Sequence, residues 1–449
     1  MWINLKAVTE TEENKLFSRS KQNKGCSLEQ PFYLAYHFFN QIQYDKMNTI
    51  ETSVYQNLLT QKTQRFNEPE KVKALGVYPY FRPISSEQDT EVIIQGQQVL
   101  MFGSNSYLGL TNHPKVKEAS IAAIKKYGTG NAGSPFLNGT LDIHLELAEK
   151  LAAFVGKEDA ILYSTGFQVN MGVIPSLAGR EDYLIYDELD HASIMAGKQL
   201  SFAKLLKFRH NDMESLERML QKCEADKIKL IVVDGIFSME GDMIKLPEVV
   251  ALAKEYNASV YVDEAHSFGV LGRSGRGICD HYNLSNEVDV IMGTFSKSLA
   301  SIGGFVAADK SVIDWLRHNS RSYIFSASPT PSATAAALAA LEIMQNEPER
   351  IENLWYITNY ALDRFRELGF EIGNTETPII PLFIRDNEKT FTFTRMAFDN
   401  GVFINPVVSP AVPSADTLIR FSLMATHTIE QVDFAIDKLA KVARHLGII

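Results

Sequence analysis

The stretch Val260-Tyr261-Val262-Asp263-Glu264-Ala265-His266 joins a short β-rich run to a carboxylate. Similar apolar runs recur at residues 160–163, 183–186, 205–208, 230–233, 290–292 and 305–307. Amphipathic segments, among them 213–223 and 246–256, separate these runs. Short strands that alternate with helices are typical of an α/β fold, in which a mostly parallel sheet carries helices on both faces. We therefore predict a large α/β body built on such a sheet.

Four segments are expected along the 449-residue chain. Residues 1–46, which contain an aromatic cluster, are either an N-terminal extension of unknown role or the product of a misread start upstream of Met47. Residues 47–95 form a helical segment followed by a turn at 78–83, because helical periodicity begins after Met47. Residues 96–330 form the large domain. An Ala-rich helix after Pro331, strand-like runs at 379–384 and 418–422 and a final helix predict a smaller C-terminal α+β domain, residues 331–449.

Composition excludes several classes of protein. Hydrophobic residues at 45% and charged residues at 22% are globular averages, which excludes wholesale disorder, collagen and coiled coil. The net charge of −10 argues against nucleic acid as the main partner. Three cysteines without CxxC spacing predict a reducing compartment, no disulfide framework and no metal site. The sequence suggests neither a transmembrane segment nor a secretory signal, so we expect a cytoplasmic protein and leave peripheral membrane contact open.

A lysine follows the strand-like run at 290–292. In Gly293-Thr294-Phe295-Ser296-Lys297-Ser298, small and apolar residues surround Lys297. Burial would lower the pKa of this lysine, as a Schiff-base lysine requires. Asp263 alone would be interpreted as a helix N-cap. Together, however, the two residues match the arrangement expected for pyridoxal phosphate, in which a lysine bonds the cofactor and an aspartate faces its ring nitrogen.

Two segments are candidates for holding a phosphate. The hydroxyls of Thr294 and Ser296 flank Lys297. Upstream, the strand 160–163 turns into a helix at Ser164-Thr165-Gly166-Phe167, where free backbone N–H groups suit an anion. A plain strand-to-helix turn is the alternative interpretation of that segment. The G-x-G-x-x-G pattern at 128–133 follows a predicted helix rather than a strand, which favours a glycine-rich loop without a nucleotide.

From Met47 to the C-terminus the sequence resembles the α-oxoamine synthases, a family of fold-type I pyridoxal phosphate enzymes. The matching segments include Asn105-Ser106-Tyr107-Leu108-Gly109-Leu110, Asp190-His191-Ala192-Ser193, Arg420-Phe421-Ser422 and residues 78–83, 166–167, 236–242, 263–267, 293–304 and 405–413. The resemblance implies a decarboxylative condensation of an amino acid with an acyl-CoA. The Thr-Phe-Ser-Lys form at Lys297 and the 409–413 loop resemble members that use L-serine and a long-chain acyl-CoA. At one position the sequence departs from the family, since Pro135 stands where members usually carry arginine.

The resemblance implies three catalytic residues. Lys297 bonds the cofactor and moves protons, Asp263 keeps the ring nitrogen protonated, and His191 stacks on the ring and orients the substrate. The implied cofactor-binding residues also include Gly166, Phe167, Ser238, His266, Thr294, Ser296, Ser326 and Ala327. The implied substrate-binding residues are Arg420, Asn105, Tyr107 and His191, with Arg420 pairing with the amino-acid carboxylate. A homodimer with shared active sites is also implied, because Ser326 and Ala327 match a segment that reaches the neighbouring subunit's phosphate.

Two alternatives remain at this stage. Other α-oxoamine synthases use alanine or glycine, such as 8-amino-7-oxononanoate synthase and glycine C-acetyltransferase. Outside enzymes, some relatives of the family are lysine-less regulatory subunits. The presence of Lys297 with Asp263 and His191 argues against a non-catalytic partner.

Removal of residues 1–46 tests the proposed segment boundary. A chain that starts at Met47 should stay folded and active, because both the resemblance and the helical periodicity begin there. Cofactor absorbance and thermal unfolding of the shortened protein measure this. Loss of folding or of cofactor binding would show instead that the aromatic cluster at 32–39 packs on the body.

Overall fold

The computed structural model describes residues 57–409 and 411–449. The chain divides into two units, residues 1–71 and 72–449. Within the described residues, helices α1 (Leu58–Gln64) and α2 (Glu68–Ala74) lie in the predicted 47–95 segment, before the turn at 78–83. The extension 1–46, the start of helical periodicity at Met47, and Pro410 of the 409–413 loop lie outside the described residues.

A seven-stranded sheet forms the centre of the second unit. Its strands are β3 (Asp159–Tyr163), β4 (Tyr183–Asp187), β5 (Lys204–Phe208), β6 (Lys229–Asp234), β7 (Ser259–Asp263), β8 (Val290–Thr294) and β9 (Gly304–Ala308). Their order across the sheet is β3-β9-β8-β7-β6-β4-β5. Only β9 runs antiparallel to its neighbours, β3 and β8. All seven predicted strands and the mostly parallel sheet are confirmed.

Helices cover both faces of this sheet. Along β6, Ile231 and Val233 belong to one apolar cluster, whereas Leu230 and Val232 belong to another. Because successive side chains of a strand point to opposite faces, both faces are buried, which explains the continuous apolar runs in the sequence. The helices around the sheet are α3 (Pro114–Tyr127), α4 (Asp142–Val155), α5 (Gly166–Leu177), α6 (Ala192–Leu200), α7 (Met213–Leu220), α8 (Leu246–Glu255), α9 (Ile278–His281), α10 (Lys310–Asn319) and α11 (Arg321–Ile324).

The C-terminal region carries a second, antiparallel sheet of order β10-β13-β12. Its strands are β10 (Ile379–Phe383), β12 (Asn405–Val407) and β13 (Leu418–Ser422), and its helices are α12 (Pro331–Asn346), α13 (Glu349–Glu367), α14 (Asn387–Asp399) and α15 (Ile429–His445). A third sheet joins the hairpin β1 (Glu91–Ile94) and β2 (Gln97–Met101) to β11 (Val402–Phe403). Strands β1 and β2, which precede the large sheet in the sequence, therefore pair with a strand of the C-terminal region. The domain boundaries predicted at residues 96 and 331 stay predictions.

No helix in the described part of the chain is long and apolar enough to cross a membrane.

A charged histidine fixes the loop that follows β6, residues 236–243. The ring of His210 contacts Asp187 Oδ1 through Nδ1 at 3.0 Å and Asp242 Oδ2 through Nε2 at 2.9 Å. Burial acts to lower the pKa of His210, but hydrogen bonds to the two carboxylates outweigh this effect and raise the pKa to about 10. The imidazolium therefore links the end of β4 to the 236–243 loop at neutral pH.

Replacement of His210 should produce a pH-dependent loss of stability. Because the folded pKa lies above the unfolded value of about 6.5, the stabilisation is complete below that pH and disappears as the pH rises through about 10. The free energy of unfolding, measured with urea, should therefore be roughly 1.5–3 kcal/mol higher for wild type than for His210→Asn at pH 6. This difference should narrow towards pH 10.

The exposed His318 provides a control for this measurement. His318→Asn should show no such narrowing gap. A gap between wild type and His210→Asn that stays constant from pH 6 to pH 10 would contradict the assignment of an imidazolium.

Candidate active site

A cavity of about 320 Å³ lies at the carboxyl ends of β6, β7 and β8, beside the first turn of α5. Ligands of α/β sheets bind at this edge. Eight residues predicted from the sequence line it together: Gly166, Phe167, His191, Asp263, His266, Thr294, Ser296 and Lys297. Thr165, Ser193, Asp234, Ala265, Met292, Ile302 and Gly303 complete the lining.

Lys297 follows β8 in a turn of small residues. Desolvation by burial lowers the pKa of its amine to about 8, although the charges of Asp263 and Asp234 oppose the shift. The direction agrees with the expectation from the sequence. An amine with this pKa is partly deprotonated near neutral pH, which both Schiff-base formation and proton transfer require.

Asp263 is the last residue of β7, and only 3% of its surface is exposed. Its Oδ2 accepts a hydrogen bond from Asn170 Nδ2 at 2.8 Å, and its Oδ1 accepts one from the Ala265 N–H at 2.9 Å. The second contact is the helix-cap type of interaction that the sequence left open. The carboxylate nevertheless lines the cavity, where it suits a protonated ring nitrogen.

His191 immediately precedes α6 and acts as its N-cap. Its Nδ1 accepts from the Ser193 N–H at 3.2 Å and lies 2.7 Å from Ser193 Oγ. Burial lowers the pKa of His191, the charge of Asp263 opposes this effect and that of Lys297 reinforces it. The residue is thus held as a neutral ring at the mouth of the cavity.

Three buried polar residues form one hydrogen-bonded group behind the cavity. Tyr107 Oη lies 2.7 Å from His266 Nδ1, and an Arg420 guanidinium nitrogen donates to the same oxygen at 3.2 Å. Burial lowers the pKa of His266 well below its ordinary value, and the charges of Lys297 and Arg420 act in the same direction. His266 is therefore a neutral group that can share a hydrogen bond with a cofactor oxygen.

Arg420 is 5% exposed, and its charge has no carboxylate partner among the described residues. Its donors reach the Ser238 carbonyl at 2.6 Å, Ser422 Oγ at 2.6 Å and Tyr107 Oη. Asp416, which lies close to Arg420 in the sequence, pairs with Arg385 at 3.0 Å. A buried guanidinium that only neutral groups contact is suited to an incoming anion.

The phosphate cradle predicted near Gly166 has the required close approach. Helix α5 begins at Gly166, and Thr165 caps it by accepting from the Gln168 N–H at 3.1 Å. A Cβ at Gly166 would lie 2.7 Å from Thr294 Oγ1, so only glycine fits there. Thr294 Oγ1 is in turn 2.9 Å from Ser296 Oγ. Free N–H groups and two hydroxyls thus converge at one helix N-terminus.

Besides Arg420, five predicted residues lie outside the cavity lining. Tyr107 is fully buried and contacts His266 and Arg420, while Asn105 Oδ1 is 3.5 Å from its hydroxyl. The Ser238 contact to Arg420 is through its carbonyl. Ser326 Oγ accepts from Gln168, and the Ala327 carbonyl accepts from Ser164, which places both near the start of α5 of their own chain.

The glycine-rich segment 128–133 follows α3, as predicted, and lies outside the cavity lining. At the departure from the family pattern, the Pro135 carbonyl accepts a hydrogen bond from Thr140 Oγ1 at 2.7 Å.

Sequence reasoning missed Asp234, Asn170 and Ser193 as site residues. Asp234 ends β6 in register with Asp263, and its Oδ2 accepts from the His191 N–H at 2.6 Å. Its place after an apolar run, like that of Asp263, was a usable signal. Asn170 and Ser193 lie on helices, where their sequence context carries no comparable signal.

The residues of the cavity fit pyridoxal phosphate. Three features of the cavity support this fit: the close approach that requires glycine at position 166, the buried Asp263 carboxylate and the lowered pKa of Lys297. Each of these features corresponds to one part of that cofactor: its phosphate, its ring nitrogen and its aldehyde carbon.

A model of the family described as aminotransferase class I and II matches residues 97–439. The chain belongs to this family. It is 62% identical over 392 residues to a serine palmitoyltransferase of Bacteroides thetaiotaomicron, covering 87% of this chain and 100% of that relative. It is 42% identical over 381 residues to an 8-amino-7-oxononanoate synthase of Thermoanaerobacter pseudethanolicus, covering 85% and 96% of the two chains.

The fold is also similar to a solved structure of a serine palmitoyltransferase variant from S. paucimobilis with a bound PLP–myriocin aldimine. The TM-score is 0.85 at 34% identity, covering 88% of this chain and 100% of that chain. The fold-type I assignment and the resemblance to α-oxoamine synthases are therefore confirmed.

Replacement of Arg420 tests its role as an anion receptor. Arg420→Ala should weaken serine binding about ten- to a hundredfold, since a charge-assisted hydrogen bond contributes roughly 1.5–3 kcal/mol. Cofactor affinity should change far less. Arg420→Lys should restore only part of the affinity, because an ammonium cannot donate two parallel hydrogen bonds to a carboxylate. Absorbance titrations with serine and with cofactor give both constants.

Arg385, which pairs with Asp416 and Glu371 on the surface, is the control. Arg385→Ala should leave serine affinity unchanged. If a folded Arg420→Ala protein binds serine as wild type does, the role of Arg420 is purely structural.

Proposed function

We propose that the chain condenses L-serine with a long-chain acyl-CoA and releases CoA, CO2 and a 3-keto long-chain base, the serine palmitoyltransferase reaction. The observation that carries this proposal is the 62% identity over the full length of a serine palmitoyltransferase. The cavity that brings together Lys297, Asp263 and His191 supports it. These residues also argue against the non-catalytic alternative.

Pyridoxal phosphate is the cofactor, and when bound it supplies an electron sink for the electron pair left on the substrate α-carbon. Asp263 would place a negative charge beside the ring nitrogen. Gly166, Thr294 and Ser296, which line the cavity together with Phe167, would hold the phosphate. Lys297 Nζ accepts and returns the α-proton, because its pKa of about 8 is close to the working pH.

Arg420 and His191 orient the amino acid. The bond that breaks must stand perpendicular to the cofactor ring, so a substrate held at its carboxylate loses the proton in the productive orientation. Arg420 offers a buried planar fork for the carboxylate. His191, which lines the cavity, would donate a hydrogen bond to the same carboxylate. Tyr107 and Asn105 support Arg420 through the hydrogen bonds described above.

The proposal includes a homodimer with shared sites in the cytoplasm. The proposal of shared sites rests on the resemblance, in which Ser326 and Ala327 match a segment that reaches the neighbouring subunit's phosphate. Within this chain, both residues contact the start of α5. The cytoplasmic location rests on the cysteine pattern.

A product assay tests the reaction directly. Purified protein is supplied with serine, glycine or alanine and with acyl-CoAs of increasing chain length. Serine with a long-chain acyl-CoA should give the highest kcat/KM. The 42% identity to an 8-amino-7-oxononanoate synthase makes alanine the informative rival substrate. A preference for alanine or glycine would replace the proposed reaction with that of a related synthase.

Lys297→Ala should abolish turnover and the visible absorbance of the covalently bound cofactor. The protein should fold with unchanged or higher thermal stability, because a buried amine is removed. Lys229→Met is a matched control, since Lys229 is also buried (3% exposed) but its ammonium donates to the Ala225 carbonyl, at 3.1 Å, and does not line the cavity. An intact visible band in Lys297→Ala would reject the assignment of this lysine.

A further inference from the structure

Several buried polar residues at and behind the cavity have no role in the proposed chemistry. Asn170 on α5 and Tyr261 on β7 are completely buried, and Ser193 on α6 is 2% exposed. Together with Asp263 and His191, these residues form a continuous set of hydrogen bonds. We call these five hydrogen-bonded residues the Asn170 relay: Tyr261, Asn170, Ser193, His191 and Asp263.

The orientation of the Asn170 amide is fixed by its neighbours. Tyr261 Oη donates to Asn170 Oδ1 at 2.6 Å. Asn170 Nδ2 then donates one hydrogen to Asp263 Oδ2 and the other to Ser193 Oγ, both at 2.8 Å. A flipped amide would place an oxygen against the Asp263 carboxylate, where neither group has a hydrogen to donate.

The same chain of donors determines the protonation of His191. Because Ser193 Oγ accepts from Asn170, its own hydrogen is directed to His191 Nδ1 at 2.7 Å. The Ser193 backbone N–H, which can only donate, points at the same nitrogen at 3.2 Å. A nitrogen that faces two donors has no proton of its own, so the proton of the neutral ring is on Nε2.

The charged groups around His191 are compatible with a neutral ring. Asp263 favours the charged imidazolium, whereas Lys297 and burial disfavour it, and the net effect lowers the pKa of His191. The aromatic contact from the other side is uncharged, since Phe167 meets the His191 ring edge-on at 6.4 Å.

We propose that Asn170 and Ser193 are positioning residues that hold His191 as the Nε2–H tautomer and couple its ring to the Asp263 carboxylate. The inference rests on the proposed function, in which His191 faces the substrate. With Nδ1 occupied, Nε2–H is the ring's only hydrogen-bond donor and is available to the substrate carboxylate. The buried Asn170 amide thus positions both Asp263, which faces the cofactor ring, and His191, which faces the substrate.

The first test reads the tautomer directly. Two-bond proton–nitrogen correlation spectra of the full-length, cofactor-loaded protein with 15N-labelled histidine show which ring nitrogen carries the proton. The His191 signals are those missing in His191→Asn. Wild type at neutral pH should show protonated Nε2 and unprotonated Nδ1. A protonated Nδ1 would overturn the proposal.

The second test removes the donors one at a time. Ser193→Ala, a change that α6 tolerates by its helix propensity, leaves Nδ1 with only the N–H at 3.2 Å. We expect a mixture of tautomers and a roughly three- to tenfold weaker serine affinity, measured by the absorbance change of the bound cofactor. Asn170→Asp should also give a mixture of tautomers and weaker serine affinity. In addition, it should shift the pH midpoint of the cofactor's visible band, because Asn170 contacts Asp263 and Ser193 does not.

A double variant and a control complete the design. Ser193→Ala with Asn170→Asp should show the tautomer mixture of Ser193→Ala alone, because Asn170 reaches His191 through Ser193. Tyr163→Phe, which removes a buried hydroxyl bonded to Ser320 in the same apolar cluster as Tyr261, should leave the tautomer unchanged. Wild-type spectra and serine affinity in both single variants, or an equal change in Tyr163→Phe, would overturn the proposal.

The outcomes separate this inference from the proposed reaction. If serine and acyl-CoA give no product while the tautomer pattern is as expected, the reaction is wrong and the relay stands. If product forms while the tautomer pattern is absent, the relay alone is wrong.

Discussion

A carboxylate buried at the end of a central strand sets the conditions for the rest of the site. Burial of Asp263 would cost several kcal/mol without compensation, and the Asn170 amide and the Ala265 N–H supply that compensation. The same burial desolvates Lys297 and lowers the pKa of its amine, while the Asp263 charge limits the shift. Two opposing effects of one environment therefore give a lysine with a pKa of about 8.

The sheet explains how distant residues come together. Parallel strands end at the same edge, and the register aligns Asp234 with Asp263 and Asp263 with Met292. Asp234 and Met292, which are 58 residues apart in the sequence (292 − 234), thus lie only two strands apart at one edge of the sheet. The antiparallel sheet contributes Arg420 from its central strand, β13, to a contact with Tyr107. Arg420 and the residues at the carboxyl ends of β6, β7 and β8 consequently belong to different sheets.

Much of this fold could be predicted because its signals are local. Strands buried on both faces are continuous apolar runs, so all seven strands of the large sheet were identified from the sequence. Asp263 stands directly after such a run, and Lys297 is conspicuous because small and apolar residues surround it, so the sequence pointed to both. Asn170 and Ser193 were not assigned roles, since a small polar residue near the start of a helix is common. Their significance depends on where α5 and α6 meet β7, and that packing has no local signal.

His191 and His210 show how the fold assigns charge to one type of side chain. His210 faces two carboxylates and is therefore protonated, which suits its role of holding the 236–243 loop. His191 faces a hydroxyl and a backbone N–H and is therefore neutral. The cavity already contains the cation of Lys297, and Arg420 lies close behind it. A third cation at His191 would lower the pKa of Lys297 further. Carboxylates thus surround His210, where a charged ring stabilises the fold. Hydrogen-bond donors surround Nδ1 of His191, where a neutral ring suits the proposed reaction.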